Sequence, residues 1–366
     1  MVDLKALDYA FAMPPEIPSG WITFRMENMG EDNHIATILR SESDLSVEEI
    51  QYKISTGNYD FPTSSIGGPG LHSSGQKSDV TLHLEPGNYV MICWVMIEGG
   101  KFHADLGMQM VFQVTEASSG ATKPKADVNI ILDKYDLQRT KTFATGEQTV
   151  EIVNRGFPYG LHLFRVQDSL SIEKAELKMD GIIGGEQVEW ISGAEPPDSV
   201  RSTFVTYSFS PGEYMWTSHA YVWGVMDRFI IEKGERTNKL IEQEKKSKAN
   251  KVGVKVEDRE IRIDNDIKTG RNTFYYAYKG NDKHLFRLTR IKKEESKKSF
   301  LNFYELAPED RYFGSVPYLG WPVDLSEEDP ITVDIQPGKY LIDCHARSEN
   351  GEKHRDQGEI AEFVVE

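Results

Sequence analysis

The chain has 366 residues, too many for one ordinary hydrophobic core, and length alone implies two or three domains. Its 39% hydrophobic and 11% aromatic content is that of a globular protein rather than a disordered one. A net charge of −16, from 42 basic and 58 acidic residues, repels phosphate backbones and anionic lipid headgroups, which argues against nucleic-acid or membrane-surface binding.

No apolar run approaches the roughly 20 residues that span a bilayer. The opening MVDLKALDYAFAMPPEIPSG lacks the basic start and apolar stretch of a secretion signal. The expectation is therefore a cytoplasmic protein, or a mature form from which a signal has been removed. Cys93 and Cys344 stand 251 positions apart and offer no disulfide framework. Isolated cysteines of this kind also occur as small buried hydrophobes.

In chain order, SGWITFRMENMG (19–30) is the first clear predicted strand, with alternating apolar residues between two glycines. His34 follows in GEDNHIAT. DLSVEEIQYKIS (44–55) puts Val47, Ile50 and Ile54 on one face with acidic residues early, which predicts a short helix. SSIGGPGLHSSG (64–75) is glycine-rich but does not run from a strand into a helix, as a phosphate loop must, and reads as a surface turn. VTLHLEPGNYVMI predicts two strands around a Pro-Gly turn, with Leu82 and Leu84 facing one way and His83 the other. Cys93, His103 and Met108 come next, and GMQMVFQV reads as an apolar strand.

The pattern then repeats. TGEQTVEIVNRG (145–156) and TGRNTFYYAYKG (269–280) follow the template of 19–30, while FSPGEYMWTS (209–218) and IQPGKYLIDC (335–344) follow LEPGNYVMIC (84–93). The Pro-Gly pairs begin at 86, 211 and 337, spaced by 125 and 126 residues. This predicts three homologous domains, 1–116, 127–233 and 251–366. EASSGATKPKA (116–126) has the composition of a flexible linker, and EKGERTNKLIEQEKKSKANK (232–251) is a densely charged one. Short β-branched and aromatic segments broken by Gly, Pro, Asn and Asp predict an all-β chain. The expected architecture is three tandem Greek-key β-sandwiches, each with at most a short helix.

His34, Cys93, His103 and Met108 offer two imidazoles, a thiolate and a weak axial thioether, the donor set of a mononuclear electron-transfer copper site. Thiolate and thioether stabilise Cu(I), and imidazole serves both oxidation states. A rigid sandwich keeps the geometry from relaxing between them.

This arrangement resembles the cupredoxin (blue-copper) family, with an early His, a Pro-Gly-x-Tyr strand ending in Cys, then His-x4-Met. The Cys-to-His loop is similar to that of copper nitrite reductases. The resemblance implies a type 1 copper site in the first domain and single-electron exchange with an unidentified redox protein. It also implies a periplasmic or extracellular location. KGNDKHLF and PGKYLIDCHARSENGEKHRDQGE place His284, Cys344 and His354 at the same spacing in the third domain, with Glu359 in place of the methionine. A hard anionic axial ligand there favours Cu(II) and lowers the potential. The second domain keeps His162 but has Ser218, Ala220 or a neighbour, and Val225 at the other ligand places, and reads as a structural copy without copper.

Two other classes of function compete. One is a metal-free sandwich array that binds a protein or carbohydrate. The other is a copper oxidoreductase resembling nitrite reductase, with His345, next to Cys344, helping to hold a catalytic copper. No His-x-His pair occurs among the nine histidines, which argues against a trinuclear copper centre, and His72, His83 and His219 have no assigned role. Hydrolase, nucleotide-loop, dinucleotide and zincin motifs are absent from the sequence.

Overall fold

In the first strand, Val2, Leu4 and Ala6 are buried while Asp3, Lys5 and Leu7 are exposed, the period-two alternation that places one face on a core. The computed structural model describes residues 1–43, 45–56, 61–97, 101–166, 188–218, 223–232, 248–257, 259–278, 284–306, 317–325, 330–348 and 351–366. Strands dominate them, as the sequence predicted. His219, Ala220 and most of the charged 232–251 linker lie outside the described residues.

The first repeat contains β1 (Val2–Leu7), β2 (Ala10–Ala12), β3 (Glu16–Asn28), β4 (Thr37–Ser41), α1 (Val47–Ser55), β5 (Thr63–Pro69), β6 (Lys77–Leu84), β7 (Gly87–Ile92) and β8 (Gln109–Ser118). The second contains β9 (Val128–Asp133), β10 (Asp136–Arg139), β11 (Gly146–Asn154), β12 (Leu161–Val166), β13 (Val188–Pro197), β14 (Arg201–Phe209), β15 (Gly212–Thr217) and β16 (Met226–Ile231). The third contains β17 (Asn250–Glu257), β18 (Glu260–Asp264), β19 (Gly270–Tyr278), β20 (Phe286–Ile291), a helix α2 (Lys297–Glu305), β21 (Tyr318–Leu325), β22 (Ile331–Ile335), β23 (Gly338–Cys344) and β24 (Ile360–Val365).

One strand order recurs. In the first repeat, β2-β1-β3-β6 form one layer and β5-β4-β7-β8 the other; β10-β9-β11-β14 with β13-β12-β15-β16, and β18-β17-β19-β22 with β21-β20-β23-β24, follow the same plan. Each pair of layers is a mainly antiparallel sandwich with a parallel pairing of β1 on β3 or its counterpart, and in the first repeat the start of β3 also runs parallel to β8. The helix predicted at 44–55 forms as α1, and Ile50 on its apolar face is fully buried.

The described residues of Met1–Ser218 and Met226–Ile241 form one compact unit, and those of His219–Val225 and Glu242–Glu366 a second. Within the first unit, both layers of one repeat continue into the next. β6 pairs with β14 (Val80 opposite Val205), and β5 pairs with β13 (Ala194 opposite Pro69). Edge strands that would otherwise present open hydrogen-bonding groups satisfy one another.

Of the segment 64–75, expected as a surface turn, residues 64–69 instead lie in β5, an interior strand between β4 and β13, while Ser74 and Gly75 do form a turn. Gly67 and Gly68 serve close approach rather than chain reversal. At Gly68, φ is +142°, and a Cβ there would collide with the carbonyl of Ala36, two residues beyond His34. The neighbouring Pro69 carbonyl accepts the Ala36 N–H at 2.9 Å, and His34 and His72 exchange main-chain bonds at 2.9 and 3.0 Å. β5 thereby fixes the start of β4 and the loop that carries His34.

Gly68→Ala combines left-handed strain of about 1–2 kcal/mol with overpacking of about 1–3 kcal/mol. Gly75, at φ +77° with no neighbour within 4 Å of an added Cβ, carries the strain alone. Urea unfolding is expected to show a larger loss for Gly68→Ala than for Gly75→Ala. Equal losses would contradict this account of β5.

Candidate metal centre

The ligand loop of the first repeat leaves β7 at Ile92 and returns into β8 at Gln109. His103–Leu106 form a single 3₁₀ turn closed by Gly107 at φ +105°, a conformation that suits glycine. That reversal lets the Met108 N–H reach the His103 carbonyl at 2.9 Å, while the Cys93 N–H donates to the Met108 carbonyl at 3.1 Å. The Ala104 N–H donates to the Cys93 carbonyl at 3.1 Å. Cys93, His103 and Met108 are thus tied to one another through the backbone.

His34 comes from the loop between β3 and β4, which Asn28 organises. Its Nδ2 donates to the Asp32 and His72 carbonyls at 2.7 and 2.8 Å, and its Oδ1 accepts the Gly30 N–H at 2.9 Å. The two loops meet at the thiol, whose pKa the main-chain N–H groups of Ile35 and Val95 act to lower.

Three donor atoms converge there. Cys93 Sγ lies 3.6 Å from His103 Nδ1 and 3.9 Å from His34 Nδ1, and the two Nδ1 atoms are 3.1 Å apart. All three residues are buried. Two imidazole nitrogens this close need a proton or a cation between them. The outward nitrogens face carboxylates, with His34 Nε2 3.1 Å from Asp8 Oδ1 and His103 Nε2 3.6 Å from Asp32 Oδ2. Met108 is fully buried in the apolar cluster that also contains Cys93. Tyr9, at φ +64° in the β1–β2 turn, packs edge-on against His103 with ring centres 5.3 Å apart.

Burial sets the protonation of these groups. It lowers the His34 pKa to about 4, aided by His103 and opposed by Asp8, so this imidazole is neutral at pH 7. Burial raises the Cys93 thiol to about 12 despite the two N–H donors. A metal must therefore displace the thiol proton, whereas His34 needs no deprotonation.

The third repeat rebuilds the same frame. His354–Gln357 form the 3₁₀ turn, and Gly358 at φ +116° closes it. Cys344 Sγ lies 3.7 Å from His284 Nδ1 and 3.6 Å from His354 Nδ1, and the Leu285 N–H donates to the sulfur at 3.4 Å. Glu359 Oε2 joins them, 2.8 Å from His284 Nδ1 and 3.3 Å from His354 Nδ1. Its Oε1 accepts from Arg259 Nη1 at 2.8 Å. Burial would raise the Glu359 pKa, but Arg259 and the two histidines outweigh it and hold the carboxyl below its usual range. Among the described residues, these two clusters are the groups of three or more His, Cys, Asp or Glu donors whose ligand atoms lie within 4.8 Å of one another.

The second repeat uses its histidine otherwise. His162 Nδ1 accepts the Leu71 N–H at 3.2 Å, joining the two repeats of the first unit, and its Nε2 lies 3.8 Å from the buried Glu195. Ser218 and Val225 are buried at their respective positions. His345 in the third repeat is held by Asp343 Oδ2, 2.8 Å from its Nε2, and by Arg287 Nη1, 3.4 Å from its Nδ1. His83 lies edge-on to Trp21, and His72 is buried with both ring nitrogens bonded, to the Gly70 carbonyl and Ser78 Oγ.

Sequence reasoning missed Asp8, Asp32 and Arg259. The available signal was an acidic residue in the sequence pairs DY at 8–9 and DR at 258–259, at the head of both thiol-bearing repeats.

No family model and no curated protein matches the chain. Among solved structures, a dithionite-reduced auracyanin from Roseiflexus castenholzii is similar at 22% identity and TM-score 0.22, covering 31% of this chain and 94% of its own. A multi-copper oxidase from Pediococcus acidilactici is similar at 10% identity and TM-score 0.19, covering 100% and 87%. A copper-containing nitrite reductase from Thermus scotoductus SA-01 is similar at 8% identity and TM-score 0.19, covering 100% and 98%.

Burial also lowers His72 to about 4. A histidine depressed from 6.5 to about 4 stays neutral in the folded chain while the unfolded chain takes up a proton. Stability is then lost as pH falls through that window, by on the order of 3 kcal/mol per histidine. Glu195, raised by burial to about 7, acts in the opposite sense as pH rises from 4.5. The histidines outnumber it, so the metal-free protein is expected to lose stability between pH 6.5 and 4, measured as the urea midpoint. A flat profile across that window would contradict the neutral, buried assignment.

Proposed function

We propose that the chain is a copper-binding electron-transfer protein. In this reading His34, Cys93 and His103 would hold one copper in the first repeat, with the Met108 thioether as a further, weaker donor. His284, Cys344, His354 and Glu359 form an altered second site in the third repeat, and the second repeat binds none. The domain division 1–116, 127–233 and 251–366, an unidentified redox partner and a periplasmic or extracellular setting belong to the same reading.

The observation that carries it is the buried convergence of Cys93 Sγ and two imidazole Nδ1 atoms 3.1 Å apart, with both outward nitrogens facing carboxylates. One soft thiolate with two imidazoles suits copper, and when bound the metal supplies reversible one-electron chemistry. The residues of the chain hold that chemistry in place. The Ile35 and Val95 N–H groups stabilise negative charge on the Cys93 sulfur, and the buried frame excludes water from the donors. Backbone bonds among Cys93, His103 and Met108 resist rearrangement when the oxidation state changes. At the third site the Glu359 carboxylate adds negative charge, which favours the oxidised metal and a lower potential.

Cu(II) added to the full chain is expected to give intense thiolate-to-copper absorption that Cys93→Ser abolishes at the first site and Cys344→Ser leaves there. Binding at pH 7 is expected to release about one proton per copper at this site, since Cys93 alone among its donors must lose one. Calorimetry in buffers of different ionisation enthalpy measures it. A folded chain that shows no such band, or no proton release, would contradict the assignment. Glu359→Met is expected to raise the potential of the third site toward that of the first, read by redox titration of its absorption; an unchanged potential counts against Glu359 as a ligand there.

A further inference from the structure

The Asp8 carboxylate is received by more than His34. Its Oδ1 accepts the Glu31 N–H at 3.0 Å and the Asp32 N–H at 3.2 Å, and its Oδ2 accepts the Glu31 N–H at 3.0 Å. Gly30 makes this possible. A Cβ there would collide with Asp8 Oδ1 and lie 2.8 Å from His34 Nε2. The seat is fixed by its own bonds as well: the Gly30 N–H donates to Asn28 Oδ1, and the Gly30 carbonyl accepts from Ser74 Oγ at 2.6 Å.

An ionised carboxylate accepts hydrogen bonds and donates none. The 3.1 Å contact with Asp8 therefore requires the proton of neutral His34 to sit on Nε2. That leaves the Nδ1 lone pair directed at Cys93 and His103. We propose that Asp8, seated against Gly30, is a positioning residue that holds His34 in the tautomer able to bind a metal through Nδ1. The inference deepens the proposed copper-site reading of the first repeat and rests on it for its consequence, though not for its test.

The repeats provide an internal comparison. Parallel pairing sets Ala6 opposite Asn28, and two residues further on Asp8 stands opposite Gly30. The same register in the second repeat, Leu132 opposite Asn154, brings Lys134 opposite Gly156, where an added Cβ meets nothing within 4 Å. The repeat that lost its thiol thus also has a cation in place of the carboxylate. In the third repeat, Val256 opposite Tyr278 brings Asp258 and Gly280 into register in the sequence, although both lie outside the described residues. Acid and glycine accompany both thiol-bearing ligand sets.

The test has two readouts on the full chain. Long-range ¹⁵N NMR of the metal-free, histidine-labelled protein reports which nitrogen of His34 carries the proton. Chelator competition reports Cu(II) affinity. Wild type is expected to show protonated Nε2 and bare Nδ1. Asp8→Ala is expected to mix the tautomers and to weaken copper by roughly 10–100-fold. Gly30→Ala, which displaces the carboxylate without removing it, is expected to do the same. Asp8→Asn keeps an acceptor oxygen and is expected to retain the tautomer and most of the affinity. A proton on Nδ1 in wild type, or an Asp8→Ala protein with unchanged tautomer, overturns the proposal. If wild type binds no copper, the functional reading fails, and the NMR result still decides what Asp8 does.

Discussion

The chain's chemistry depends on main-chain hydrogen bonds that close two loops onto one another. Cys93, His103 and Met108 are tied by N–H to carbonyl bonds among themselves, the His34 loop is held by main-chain bonds exchanged with His72, and its Ile35 N–H acts to lower the pKa of the Cys93 thiol. Side-chain rotamers can relax within a loop, but backbone positions held this way cannot move singly. Donor atoms are therefore brought together by folding energy, and a metal need not assemble them. The cost is a buried thiol and two imidazoles in near contact, a local repulsion that a cation removes.

Three copies of one loop frame show how far its chemistry can be varied at constant architecture. In the first repeat a methionine completes an apolar wall. In the third, Glu359 faces both histidines and is held from behind by Arg259, so charge enters the cluster itself. In the second, His162 keeps its place but takes the Leu71 N–H on the nitrogen that would bind metal, and becomes part of the joint between repeats. That joint, in which β5 and β6 pair with β13 and β14, continues both sheets of the first repeat, so the second repeat contributes rigidity next to the first cluster.

Much of this was legible in the sequence because it was written locally. Pro-Gly turns at constant spacing, period-two strands and the ten-residue Cys-to-His interval each declare themselves within a short window, and the all-β sandwich architecture, α1 and the proximity of His34, Cys93 and His103 followed. What escaped depends on pairing between distant segments. Gly67, Gly68 and Gly70 read as a turn by composition, whereas in β5 and just after it they admit Ala36 and the β13 backbone at close range. Asp8 lies 26 positions before His34 and reaches it only because β1 runs parallel to β3. Parallel register across a sandwich leaves no signature in either strand alone.

The central claim is that Cys93 and two histidines bind one copper together. X-ray absorption at the copper edge, on the Cys344→Ser full chain loaded with one equivalent of Cu(II), tests it most directly. The account expects one short copper–sulfur bond and two imidazole nitrogens, with the sulfur lost when Cys93 is also changed to Ser. A shell of nitrogen and oxygen alone would contradict it.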